Sequence, residues 1–164
     1  MRGIRILVII FSMVLIASCS TSGHNISYDY DASADFGVLK TYDWLSFRGR
    51  TLEDEWILKR IKQEVDAQLE LKGFKTVSES PDFLIAFQAQ KKRRIRETKY
   101  IGEESTYLEG KLVIIFLDGK MKAPIWQGTA ESELDSSPTP EERDRNIKKI
   151  ISKMLSNFPP SQRP

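Results

Sequence analysis

The stretch "KLVIIFLDGKMKAPIWQGTAESEL", Lys111 to Leu134, decides the fold. Its first arm, Leu112 to Leu117, is apolar at every position, so both faces of that strand need cover and it belongs at the centre of a sheet. Asp118-Gly119 begins a turn. In the returning arm Trp126, Gly128, Ala130 and Leu134 face one way, and Gln127, Thr129, Glu131 and Glu133 the other. Pro124 has no amide hydrogen to donate to a ladder, so the second arm starts there. A hairpin of this kind needs further strands beside it and an apolar layer against it.

Two segments supply the layer. Ile57, Ile61, Val65 and Leu69 recur every four residues, with Trp56 and Leu58 beside them, which is the stripe of an amphipathic helix. Thr51-Leu52-Glu53-Asp54 fits a helix start in which hydroxyl and carboxylate satisfy orphan amides, and Gly73 supplies the left-handed stop. Thr139-Pro140-Glu141-Glu142 starts a second helix with proline in its first turn. Ile147, Ile150, Ile151, Met154, Leu155 and Phe158 form its stripe, and Pro159-Pro160 closes it.

Further strands flank these. "ISYDYD" (Ile26–Asp31) and "KTYDWLSF" (Lys40–Phe47) alternate aromatic with polar residues. Between them Phe36 and Leu39 plug the edge of the core. "FKTV" follows the first helix, and in "DFLIAFQAQ" Phe83, Ile85, Phe87 and Ala89 share a face. That strand runs into "KKRRIRETKY" (Lys91–Tyr100) with no turn signal. Strands usually stop within about ten residues, so a bend or register break is expected inside the basic run. The sum is a single α+β domain over residues 28–160, with a four-residue tail at 161–164. Its mainly antiparallel sheet has about five to six strands, and both helices pack on one face.

The first residues address the protein. Arg2 and Arg5 precede an apolar run from Ile6 to Ser18, the pattern of a secretory leader over residues 1–18. The run is shorter than the roughly 20 residues a spanning helix needs. Ile16-Ala17-Ser18-Cys19 resembles the bacterial lipobox, which implies a diacylglyceryl thioether on Cys19, cleavage before it and acylation of the new amine. Two or three chains on one residue give stable anchoring where one would not. In Gram-negative lipoproteins aspartate after the cysteine retains the protein in the inner membrane, so Ser20 implies an outer-membrane lipoprotein facing the periplasm. Residues 19–27 are then the lipidated cysteine and a short flexible tether. Once Arg2 and Arg5 are lost, basic and acidic residues balance at 23 each. The single cysteine leaves no internal disulfide.

Counting removes most enzyme chemistry. His24, the only histidine, lies in the tether, so a catalytic triad or a zinc site of Cys and His has no imidazole inside the fold. The acidic residues Asp29, Asp31 and Asp35 lack the glycine and the twelfth-position glutamate of a calcium loop. No phosphate-binding glycine loop occurs, and no metal or cofactor is expected. Paired carboxylates or a Ser-Lys nucleophile for a hydrolase are not singled out by position.

The basic run Lys91, Lys92, Arg93, Arg94 and Arg96 has two readings. One is an anion site for lipid headgroups, reached because the tether is short. The other, which the sequence favours, is a solvated edge strand whose cations discourage edge-to-edge pairing. The compartment excludes nucleic acid.

"YDYDASADFGVLKTYDWL", "LELKGFKTVSESPDFLIAF", the hairpin above and "IKKIISKMLSNFPP" together resemble bacterial lipoproteins of the domain-of-unknown-function family 4136. The marks are Tyr30, Asp31, Phe36, Lys40, Thr41, Tyr42 and Trp44, then Gly73, Pro81 and Asp82, then Trp126, Gly128, Ala130, Phe158 and Pro159. The resemblance implies an envelope lipoprotein with one α+β domain and no assigned activity. Members carry a longer glycine- and aromatic-rich segment where this chain has the charged "KKRRIRETKYIGEESTYLEG". The expected function is a non-enzymatic binding module meeting an envelope protein through the sheet face left bare by the helices. The alternative is a carrier of lipid or another hydrophobic molecule between helices and sheet, and a periplasmic hydrolase comes third.

Overall fold

The computed structural model describes residues 25–45, 55–97 and 104–160. In chain order these form β1 (Asn25–Tyr30), β2 (Thr41–Trp44), α1 (Glu55–Leu71), β3 (Lys75–Thr76), β4 (Phe83–Glu97), β5 (Glu104–Asp118), β6 (Pro124–Leu134) and α2 (Pro140–Leu155). One six-stranded sheet has the order β1-β6-β5-β4-β2-β3. The hairpin β5–β6 lies at its centre with β4, as the doubly apolar run of β5 requires.

The α+β class holds, but the sheet is mixed. β1, β6, β5 and β4 pair antiparallel, whereas β2 lies parallel to both β4 and β3. The parallel edge arises because β2 leaves the sheet through α1 and returns as β3 beside itself, a crossover that carries the strand direction back unchanged. β1 takes in Asn25–Ser27, residues the sequence assigns to the tether. Cys19, His24, the Thr51–Asp54 helix start and the 161–164 tail lie outside the described residues.

One apolar cluster joins the helices to alternate residues of the strands. Ile61, Val65 and Leu69 of α1 and Ile151, Met154 and Leu155 of α2 belong to it. Phe83, Ile85, Ile114, Phe116 and Trp126 meet them from β4, β5 and β6. Phe36 and Leu39 are buried as the edge plug. Gly128 is where α2 comes closest to the sheet: an added Cβ would lie 2.6 Å from Met154 Cγ and 2.5 Å from Trp126 Cη2.

Two of the caps read from sequence, at Gly73 and Thr139, form as expected. Gly73 has φ of 87°; its N–H donates to Glu70 O at 2.9 Å, and Phe74 N–H donates to Leu69 O at 3.0 Å. That pair of bonds ends α1 with a left-handed residue. At the start of α2, Glu142 N–H donates to Thr139 Oγ1 and Thr139 N–H to Glu142 Oε2, with Pro140 in the first turn.

Two expectations fail. β4 runs 15 residues and pairs with β5 without interruption from Phe83↔Asp118 to Glu97↔Glu104, so no break in register falls between Lys91 and Glu97, the described part of the basic run. Charge pairs across the strands, described below, hold this long arm extended. Phe158 is not on the α2 stripe either. The helix stops at Leu155, because the proline at 159 disfavours helical geometry at the residue before it. The chain turns back, Phe158 N–H donates to Leu155 O at 3.0 Å, and the ring enters the core.

Candidate functional site

Strand directions bring several ends to one pole of the molecule. The row Asn25–Glu131–Lys111–Gln90 crosses the sheet at that end. Beyond it β4 and β5 continue, accompanied by β6 as far as Leu134↔Leu108 and then alone to Glu97↔Glu104. α1 and α2 both begin at this pole, since Ile57 and Ile61 of α1 and Ile147 and Ile150 of α2 face the same recess.

That recess is an open cleft of about 230 Å³ between the first halves of the helices and the middle of β4 and β5 together with the last residues of β6. Its walls are apolar: Ile57, Ile61, Leu108, Leu112, Ile147 and Ile150. Ala89, Ala130 and Leu134 complete the floor, and Gly110 keeps it deep, since a Cβ there would meet Leu134 Cδ2 at 2.8 Å. Lys91, Asp135, Arg143 and Asn146 stand among the polar residues around it. The sequence reading missed these residues as a group. The alternation of β4–β6 and the helix stripes contain each of them, but nothing local marks where the helices stop covering the sheet.

The unbroken register divides the basic run. Lys91, Arg93 and Ile95 continue the parity of Phe83, Ile85 and Ala89 and so lie on the face that carries the apolar cluster, while Lys92, Arg94 and Arg96 lie on the other. On that second face Arg94 Nε meets Glu109 Oε2 at 2.8 Å, Arg96 Nη2 meets Glu133 Oε2 at 2.7 Å, and Lys111 Nζ meets Glu131 Oε1 at 2.8 Å. The Arg96 guanidinium also sits 4.8 Å from the Tyr107 ring centre. The hydrogen bond and charge of Glu109 raise the Arg94 pKa, and those of Lys111 lower the Glu131 carboxyl. Two of the five cations are thus answered by carboxylates. Among the described residues, Lys91, Lys92 and Arg93 have no acidic partner. At the same pole Ile95 is 62% exposed on the arm and Trp56 is 70% exposed in the first turn of α1.

Other candidate chemistry resolves into structure. Asp82 Oδ2 accepts from Lys40 N–H, Thr41 N–H and Thr41 Oγ1 at 2.8–2.9 Å. Burial alone would raise this carboxyl, but those donors, with the charge of Lys120, outweigh it and hold the pKa below the usual aspartate value. The carboxylate thereby ties the start of β4 to β2. Asp66 Oδ1 accepts from Tyr42 Oη at 2.9 Å and Trp44 Nε1 at 2.7 Å, and Lys62 Nζ reaches Oδ2 at 3.0 Å. Burial, followed by the acidic neighbours Asp66 and Glu70, pushes Tyr42 up to about 12 despite the Thr76 hydrogen bond, so its phenol stays a donor. Asp31 accepts from Ser33 Oγ and N–H, which lower its carboxyl, and Asp35 accepts from Gly37 N–H. These aspartates organise turns. Among the described residues no group of three or more His, Cys, Asp or Glu is arranged to hold a metal ion. Nor is any helix there long and apolar enough to cross a membrane.

The class these features define is a small α+β domain with a six-stranded mixed sheet, two helices and an open apolar cleft at one pole. The chain belongs to the family described as "Domain of unknown function (DUF4136)", whose model matches residues 26–160. No curated protein matches it. Among solved structures it is similar to a PDZ domain protein from Parabacteroides distasonis, at 15% identity and a TM-score of 0.60, over 89% of this chain and 39% of that one. It thus spans well under half the length of that protein. It is also similar to the PelC dodecamer from Paraburkholderia phytofirmans, at 11% identity and a TM-score of 0.54, over 82% of this chain and 96% of that one. At these identities the likeness is one of fold.

Proposed function

We propose that this chain is a lipid-anchored outer-membrane binding module without catalytic activity, facing the periplasm, whose contact site is the cleft between helices and sheet. The single observation behind this reading is the cleft itself: apolar walls, polar residues around the mouth and a volume of about 230 Å³. Pockets that enclose a small molecule run to about 300–1,000 Å³. The cleft is therefore sized for one or two apolar side chains of a partner, or a short length of acyl chain, and is small for a carrier that shields a whole lipid. The same fold serves a protein that forms a dodecamer, which supports reading the domain as a surface for protein contacts. The lipobox at Ile16–Cys19 and the serine after it support the address.

The test places a photo-crosslinking residue at Ile147, inside the cleft, in the lipidated protein in its own envelope. A matching probe at Lys153, exposed on α2, is the control. A protein-sized adduct from Ile147 alone, abolished when Ser132→Phe fills the cleft, is the expected result. An adduct of lipid mass would replace this reading with the carrier, and identical products from both positions would refute a cleft site.

A further inference from the structure

We propose that the β4–β5 arm is a second membrane contact, lying against an anionic phospholipid surface through Lys91, Lys92 and Arg93 near its root and Ile95 further out, with Trp56 at the same pole, and so turning the cleft mouth toward the bilayer. The inference rests on the lipid-anchored reading and specifies how the anchored domain stands.

A ruler built into the sheet carries it. β1 begins at Asn25, which shares a row with Gln90. From Gln90 the arm runs seven residues to Glu97, about 23 Å at roughly 3.3 Å per residue. β1 is antiparallel to β6, so the chain before Asn25 leaves the fold at that same pole. Cys19 lies six residues before Asn25, a span of at most about 20–22 Å even fully extended. Coiled as a flexible linker, the tether covers only about 13 Å. An acylated Cys19 at the headgroup level therefore keeps the Gln90 row, where the arm begins, within about 22 Å of the headgroups, so that the arm reaches them along its length.

The chemistry along the arm suits that position. Arg94 and Arg96 are engaged by Glu109 and Glu133, but Lys91, Lys92 and Arg93 are not answered by carboxylates among the described residues. Ile95 and Trp56 are large apolar side chains exposed at the same pole. Aromatic rings and basic residues together are what a membrane interface selects. An edge strand that served only to repel other edges has no need of an exposed isoleucine between its cations. The sequence reading weights the run toward the solvated edge because it treats all five cations alike; the ion pairs of Arg94 and Arg96 separate them.

The test uses residues 20–164, unlipidated. Every core residue lies between Ile26 and Phe158, so this chain retains the whole fold. Binding to phosphatidylcholine vesicles is compared with binding to vesicles containing phosphatidylglycerol, at low ionic strength. Binding should require the anionic lipid. Glutamine at Lys91, Lys92 and Arg93 should weaken it about 100-fold, from about 1 kcal/mol for each basic residue near the surface. Glutamine at Arg94 and Arg96 should weaken it less than about tenfold, because those cations are already paired. Trp emission should shift to the blue on binding, and Trp56→Phe should remove the shift. Equal losses from the two sets of substitutions, equal binding to neutral vesicles, or no blue shift would overturn the proposal. Ser132→Phe, which fills the cleft, should leave vesicle binding unchanged; loss there would reassign the contact to the cleft and refute the arm. The cleft reading stands or falls by its own crosslinking experiment, which uses no vesicles.

Discussion

Replacing Phe158 by alanine should cost about 4 kcal/mol, although the residue follows the last helix and carries no chemistry. Its ring lies 4.5–6.0 Å, centre to centre, from those of Phe36, Phe74, Phe83, Phe116 and Trp126. Phe→Ala in a core costs about 3–5 kcal/mol, the upper part applying where the site cannot collapse. Here Phe83, Phe116 and Trp126 stand on three adjacent strands held in register, so they cannot close over the void. That range is the whole cost of the truncation and already contains the ring contacts, five of which are lost together here. For a domain of this size about 4 kcal/mol lowers Tm by roughly 8–16 °C. Urea titration and thermal melting of residues 20–164, followed by near-ultraviolet circular dichroism, measure it. Phe158→Leu, which keeps apolar volume but not the ring contacts, should lose about half as much. A loss below about 1 kcal/mol for the alanine variant, with the aromatic signal intact, would refute the placement of this ring in the core.

Gly128→Ala should destabilise by about 1–3 kcal/mol, since its Cβ must displace Met154 or the Trp126 ring, and Gly128→Val should cost more by the same urea titration. Asp82→Ala should cost about 1–3 kcal/mol by leaving the Lys40 and Thr41 donors unanswered. The Asp82 carboxyl is held below its ordinary value of 3.8, so its stabilisation is complete above that pH and disappears as pH falls through the lower folded value. Urea midpoints from about pH 2 to 6 should therefore show an acid-side loss that the alanine variant lacks.

Much of the architecture is legible in the residues because period and cap chemistry are local. The stripes of α1 and α2, the Gly73 stop, the Thr139 capping box and the start of β6 at Pro124 each follow from a few neighbouring side chains. The parallel pairing of β2 is not legible. Four residues alternate identically whichever neighbour they pair with, and only the packing of α1 decides the return direction. The length of β4 is hidden for a related reason: Arg94–Glu109 and Arg96–Glu133 join residues 15 and 37 apart in sequence. Phe158 keeps helical spacing with Met154 and Leu155, so the stripe rule claims it, although Pro159 rules helix out there. The cleft is the least legible feature, being the gap left where the two helices begin and the sheet runs on past them.

In chain order Phe158 follows every other member of the aromatic cluster it centres. Five rings laid down earlier, from Phe36 to Trp126, stay without their common neighbour until that residue has been synthesised. Setting the closing piece of the core so late makes completion of the aromatic cluster wait for the last residues of the domain, so a chain truncated before Phe158 lacks the ring that joins the others.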